Sequence, residues 1–224
     1  MILEIDSVEL FFSNRRILNG IYLKAETGKV TGILGSNGCG KTSLMCIISG
    51  ALQPKYKLIR LDGKPILKPL YRTAKIGFLP QHDLAPNNLK IKTIFKLLNV
   101  DWFEFSSLFE SFSFYWDSKI STLSGGERRV LETYLILKSQ NDIILLDEPF
   151  SHIAPLYIEK FKTLIATEKQ SKAIIITDHH FRDVIEASDA LYLLKNGCTK
   201  AIDNFVALED YHYLNPTTLK KRRS

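Results

Sequence analysis

Eight consecutive residues, Gly35-Ser36-Asn37-Gly38-Cys39-Gly40-Lys41-Thr42, spell the pattern G-x-x-x-x-G-K-[ST]. Glycine at this spacing lets backbone N–H groups wrap closely around phosphate oxygens, in dihedrals that a side chain would obstruct. Lys41 adds a point charge for the terminal phosphates, and the Thr42 hydroxyl is a ligand for Mg²⁺. A match of this length occurs by chance in glycine-rich turns that bind nothing. Here the apolar run Val30 to Leu34 precedes it and the helical pattern Ser43 to Ser49 follows, so a helix turns its positive end toward the anion. The loop reads as a cradle for a nucleoside triphosphate.

Further chemistry-bearing residues sit at the ends of apolar runs. Ile143 to Leu146 suggests a strand buried on both faces, and it delivers Asp147 and Glu148. At the carboxyl edge of a sheet, beside a phosphate loop, Asp147 can hold Mg²⁺ and Glu148 can act as general base toward water. Gln81 follows the run Ile76 to Leu79 and offers a neutral oxygen for Mg²⁺ or an amide for the attacking water. Ala173 to Thr177 ends in Asp178, His179 and His180, where one histidine can donate to the γ-phosphate. His179 is the chosen one, with His180 a bystander.

A second phosphate element lies about eighty residues after the first. Ser124 and Glu127 satisfy the capping pattern S-x-x-E ahead of a helical stretch, Arg128 to Leu137. A plain helix start does not account for Gly125 and Gly126, which weaken a helix by about 1 kcal/mol each unless their bare backbone is wanted. Bare backbone at a positive helix end is an anion site.

The elements that must position these groups follow in order. Ile2 through Val8 and Leu10 alternate apolar and polar residues, as does Ile17 to Lys24, so both read as half-buried strands. Phe11 and Phe12 close the first; adjacent in a strand, they point to opposite faces, which predicts one ring in the core and one free to stack on a base. Gly50 predicts the end of the helix that begins at Lys41, and Asp62-Gly63 and Asn196-Gly197 predict tight hairpin turns. From Asp83 to Asn141 the spacing turns helical and aromatic residues crowd Phe95 to Trp116, as a subdomain core, as a surface for a partner, or as both with different rings inside and outside.

Composition narrows the class. The 224 residues are 45% hydrophobic with mixed charge, enough for one α/β domain with an inserted subdomain, and no apolar run approaches a membrane helix of roughly 20 residues. The N-terminus lacks a basic region followed by a long apolar core, so secretion is not indicated and the expected location is cytoplasmic. Cys39, Cys46 and Cys198 fit no metal spacing and read as free thiols. Part of the +6 net charge lies in Lys220-Lys221-Arg222-Arg223, which reads as a solvated end; no specific nucleic-acid partner is expected.

With Gly35 to Thr42, Gln81, Leu123-Ser124-Gly125-Gly126-Glu127, Leu145-Leu146-Asp147-Glu148-Pro149 and His179 in this order, the chain resembles the ATP-binding cassette (ABC) ATPases, over about residues 1 to 200. It looks most like the single-domain transporter subunits of the branched-chain amino acid or lipopolysaccharide type. The resemblance implies an α/β fold: a P-loop core with a mostly parallel sheet, an antiparallel β subdomain, and a helical subdomain. One domain over 1–224 is expected, with 1–81 and 142–224 as the core and 82–141 as the helical insertion. It implies that Phe12 stacks on adenine, and that Gly35, Ser36, Asn37, Gly38, Cys39, Gly40, Lys41 and Thr42 hold the phosphates of ATP. Mg²⁺ goes to Thr42, Gln81 and Asp147, water activation to Glu148, and the switch role to His179. Ser124, Gly125, Gly126 and Glu127 would act on ATP held by a second subunit, so a dimer is implied, most simply a homodimer docked on an integral membrane permease at the cytoplasmic face of the membrane. One departure stands out: where the family has Ser-Ala-Leu-Asp, this chain has Ser151-His152-Ile153-Ala154. A soluble ABC ATPase acting in assembly, of the iron-sulfur scaffold type, is the alternative. Chromosome-maintenance relatives carry long heptad insertions that have no room here, and translation-associated ones carry two cassettes.

Overall fold

The computed structural model describes residues 1–202. Two long strands, β1 (Ile2–Phe12) and β2 (Arg15–Glu26), open the chain, and β3 (Val30–Leu34) leads through the phosphate loop into α1 (Lys41–Ser49). β4 (Tyr56–Leu61), β5 (Lys64–Pro65) and β6 (Ile76–Leu79) follow, then α2 (Ile91–Leu98), α3 (Trp102–Leu108) and α4 (Gly125–Lys138). The chain continues through β7 (Ile143–Asp147), α5 (Pro155–Glu168), β8 (Ala173–Thr177), α6 (Phe181–Ala187), β9 (Ala190–Lys195) and β10 (Cys198–Ile202).

The strands form two sheets. One is antiparallel, in the order β2-β1-β4-β5; the other runs β10-β9-β3-β8-β7-β6 and is parallel except for β10. The fold is thus α/β with a mostly parallel sheet. The apolar runs are unbroken because alternate residues serve two different cores. Leu34, Ile144, Leu146, Ile174 and Ile176 face one that includes α4 and α5. Ile33, Ile143, Leu145 and Ile175 face another that holds α1 and the antiparallel sheet. Each such aliphatic side chain, fully buried, contributes about 1.5–3 kcal/mol.

The alternation in β1 is interrupted. Ile2 is exposed while Leu3 and Ile5 are buried; a register shift between Ile5 and Val8, with Ser7 at φ +52°, then brings Val8 and Leu10 inward. An extra residue in one strand resets which side chains face the core. The expectation for the phenylalanine pair also needs correction. Neither ring is in the core: Phe12 is 50% exposed, and Phe11 lies half-buried beneath the cations of Arg16 and Lys55, 5.2 and 5.3 Å from its centroid. Partial exposure suits such a pairing, because the cations keep their solvent.

Gly50 caps α1 at φ +93°, and both predicted hairpins have positive φ at both central residues, 50° and 75° at Asp62-Gly63 and 52° and 78° at Asn196-Gly197. Those are the dihedrals of the mirror-image turn whose twist matches paired strands. In the helical stretch the aromatic residues divide. Phe95, Phe105, Phe109 and Phe112 are buried and stack in tilted and edge-on pairs, with Tyr134 of α4 4.9 Å from Phe105. Phe103 and Phe114 stand 78% and 90% exposed. No helix among the described residues is long and apolar enough to cross a membrane. The basic run Lys220 to Arg223 lies outside the described residues.

Candidate functional site

Parallel pairing brings the chemistry to one edge. Ile33 is level with Thr177, Asp147 with Thr177, and Leu79 with Leu146, so the residues that follow β3, β8, β7 and β6 emerge together. The carboxyl ends of parallel strands are where ligands bind in open α/β sheets.

The phosphate loop is shaped by its glycines. Gly38 and Gly40 sit at φ +76° and +110°, and a side chain on Gly35 would meet Cys39 Sγ at 2.6 Å and the Leu194 carbonyl at 2.7 Å. Gly40 lies against Leu18 of β2, tying the loop to the hairpin that carries Phe12. Ser36, Asn37 and Gly38 are exposed, while burial raises the pKa of the Cys39 thiol. Lys41 is buried at the centre of the loop, its Nζ donating to the Gly35 carbonyl at 2.6 Å and the Ser36 carbonyl at 3.2 Å. No side chain caps the first turn of α1 and no acidic residue lies in it. Its N–H groups and positive end are therefore available to an anion.

At the end of β7, Asp147 is fully buried. Its Oδ1 accepts from Thr177 Oγ1 at 2.5 Å, whereas Oδ2 has no hydrogen-bond partner. Burial raises its pKa, opposed by the hydroxyls of Thr177 and Thr42. A buried carboxylate oxygen without a donor, next to a threonine hydroxyl, is a fit for a hard divalent cation and otherwise a costly group to bury.

Glu148 follows at φ +56°, a left-handed conformation uncommon for a residue with a side chain. Its amide is held by the Thr177 carbonyl at 2.8 Å. Its Oε2 accepts from Gln81 Nε2 at 3.1 Å and Ser151 Oγ at 3.3 Å, and His179 Nδ1 lies 3.7 Å away. The same imidazole nitrogen is 3.4 Å from Ser151 Oγ and 3.4 Å from Asp178 Oδ1. His180 instead turns toward Asp183 in α6, 3.9 Å away. The structure therefore brings Gln81, Glu148 and His179 together and leaves His180 aside.

Ser124 caps α4 in a reciprocal box, Glu127 N donating to Ser124 Oγ and the Ser124 amide to Glu127 Oε2. The two glycines have different reasons. A side chain on Gly126 would come within 2.6 Å of the His152 carbonyl, whereas one on Gly125 would meet nothing. Ala154 sits at the N-cap of α5 and offers no side-chain cap, and Pro155 opens the helix.

Three positions carry geometry that the sequence reading passed over. Asp178, fully buried, accepts from the Phe150 amide through Oδ2 and from the His180 amide through Oδ1, each at 2.9 Å. Buried Arg129 donates to the Pro80 carbonyl at 2.6 Å, to the Asp147 carbonyl, and to the Glu148 carbonyl at 3.1 and 3.0 Å. Glu132 accepts from the amides of Leu84 and Ala85, and from Arg128, which also donates to Ala85 and Asn87 and pairs with Asp83. The available signal was charged residues inside a stretch of apolar helical periodicity, and a third carboxylate at a buried strand end.

Comparison with known proteins identifies relatives of this chain. The family model for ABC transporter matches residues 18–151, more than half of the chain. The lipopolysaccharide export system ATP-binding protein LptB of Escherichia coli (strain K12) is 30% identical over 201 residues, covering 83% of each protein. A probable ABC transporter ATP-binding protein of Azorhizobium caulinodans is 30% identical over 200 residues, 83% of this chain and 71% of that one. Among solved structures, the ATP-binding subunit of an ABC transporter superposes with a TM-score of 0.80 at 17% identity over 99% of both chains. A bacterial Atm1-family ABC exporter with ATP bound gives 0.81 at 18% identity over 93% of this chain and 40% of that one. Those two likenesses speak for the fold, and the family match with the 30% identical relatives speaks for kinship. The chain belongs to the ABC transporter family, as one of its ATP-binding subunits.

Proposed function

We propose that this subunit hydrolyses MgATP, and that two copies close face to face on two nucleotides to drive a separate membrane permease from the cytoplasmic face. The observation that carries the reading is the setting of Glu148, whose carboxylate is held by Gln81 and Ser151 with His179 at 3.7 Å, directly after buried Asp147. Lys41 and the N–H groups of the loop and first turn of α1 bind the phosphates, and Phe12 offers its exposed ring to the adenine. Thr42, Asp147 and the Gln81 carbonyl oxygen would hold Mg²⁺, which would supply positive charge to neutralise the phosphates.

Glu148 accepts a proton from water as the water oxygen bonds to the γ-phosphorus and the bond to the bridging oxygen breaks, releasing ADP. A positioned base contributes about 10²- to 10⁴-fold. His179, whose Nδ1 lies beside the Glu148 carboxylate, has its Nε2 left for the γ-phosphate. Ser124 and the open backbone at Gly125 face the nucleotide of the second copy. Each charge-assisted bond to the γ-phosphate is worth about 1.5–3 kcal/mol, so hydrolysis removes enough to open the pair. The permease role is supported by the names of the relatives and by the exposed Phe103 and Phe114, which offer apolar surface to a partner.

The test is Glu148→Gln in the full chain. Expected are retained ATP binding, loss of phosphate release, and a dimer on size-exclusion chromatography that needs ATP and Mg²⁺; unchanged hydrolysis removes Glu148 from this role. Affinity capture from solubilised membranes is expected to recover an integral membrane protein, and recovery of soluble proteins alone overturns the permease assignment.

A further inference from the structure

Near the end of the aromatic stretch, Tyr115 has no part in the chemistry so far. The Tyr115 hydroxyl donates to Glu127 Oε1 at 3.2 Å, and its ring lies 5.9 Å from Phe112, which continues into the buried stack through Phe105 and Phe95. The other oxygen of Glu127, Oε2, accepts from both the Ser124 amide at 2.8 Å and the Ser124 hydroxyl at 2.7 Å. A hydroxyl has one proton to give. In this arrangement Glu127 takes the proton that Ser124 needs for a phosphate oxygen.

When Ser124 turns that proton toward a nucleotide, Glu127 loses one of its three donors as a second negative group approaches. Like charges brought close in a partly buried site repel strongly. The Ser124 amide and the Tyr115 hydroxyl are what then hold the carboxylate in place. The amide belongs to the turn itself, whereas Tyr115 reaches in from the segment before it, its ring packed on Phe112 of the aromatic core.

We propose that Tyr115 is a positioning residue for the Ser124–Glu127 turn: its hydroxyl keeps the Glu127 carboxylate seated while Ser124 donates to a nucleotide held by a second copy. The proposal rests on the role given to Ser124 above. Tyr115→Phe removes the hydroxyl and keeps the ring, so the aromatic stack is preserved.

The experiment measures the MgATP-dependent dimer by sedimentation in the full chain carrying Glu148→Gln, with nucleotide affinity of the monomer and melting temperature as companions. Tyr115→Phe is expected to raise the dimer dissociation constant roughly tenfold, the scale of one charge-assisted hydrogen bond, and to leave monomer affinity unchanged. Adding Tyr115→Phe to Glu127→Gln is expected to weaken the dimer no further, because both act through one contact. Parental dimerisation of Tyr115→Phe, with Ser124→Ala defective, overturns the proposal. Additive effects of Tyr115→Phe and Glu127→Gln also overturn it, including where Tyr115→Phe lowers the melting temperature. Parental dimerisation of Ser124→Ala instead overturns the role of Ser124 on which the proposal rests.

Discussion

Gln81 Nε2 donates to Glu148 Oε2 across 3.1 Å, joining the segments that follow β6 and β7. With its nitrogen engaged, the Gln81 amide has its carbonyl oxygen left for a cation, and Glu148 has Oε1 left for water. One contact thus divides the work of two side chains.

Lys41→Ala removes an ammonium placed among the loop carbonyls of Gly35 and Ser36. Loss of its charge-assisted contacts to phosphate is expected to weaken ATP binding by about 10- to 100-fold, read by titration calorimetry on the full chain. Normal affinity overturns the phosphate-loop assignment.

Gly125 and Gly126 separate under alanine substitution. Gly126→Ala forces a methyl group against the His152 carbonyl and is expected to lower stability by about 1–3 kcal/mol in urea unfolding. Gly125→Ala meets open space, so its stability is expected to hold while MgATP-dependent dimerisation fails.

Asp147→Asn is expected to stabilise the protein while abolishing hydrolysis. Burial raises the folded-state pKa of Asp147, so the folded chain binds this proton more tightly than the unfolded chain. Stability then falls as pH rises from the ordinary carboxylate value to the raised one, and the penalty is complete above it. In the absence of Mg²⁺ the variant is expected to melt above the parent at neutral pH, with the gap narrowing on acidification through the carboxylate range. A lower melting point at neutral pH contradicts the assignment of Asp147 as an electrostatically strained ligand.

Asp178→Ala leaves the amides of Phe150 and His180 without their acceptor. Unfolding in urea is expected to show a loss of about 2–4 kcal/mol, and phosphate release to fall because both Glu148 and His179 adjoin the segments it ties. Unchanged stability shows that water replaces both contacts.

The strands bearing the site were legible because each is a short apolar run with polar residues at one end, and β6 and β8 have the bounds that the runs predict. The loop glycines, the Ser124 cap and the two hairpins were legible for the same reason, since each rests on dihedrals or hydrogen bonds a few residues apart. What the sequence did not show is held by distant partners. The environment of Phe11 depends on Lys55, forty-four positions on, and the shift of face in β1 depends on a bulge at Ser7 that no pattern of apolar residues announces. Arg129, Glu132 and Asp178 read locally as ordinary charged residues; only folding shows that each satisfies backbone groups of another segment.

Arg128 and Glu132 grip the backbone of Leu84 and Ala85 from one face of α4, while Arg129, between them in sequence, grips the carbonyls of Pro80, Asp147 and Glu148. The helix that starts at Ser124 is therefore bolted on both sides of Gln81. The stretch just beyond Gln81 and the carbonyls at the end of β7 are thereby fixed to one rigid helix, whose first turn carries the Ser124 cap.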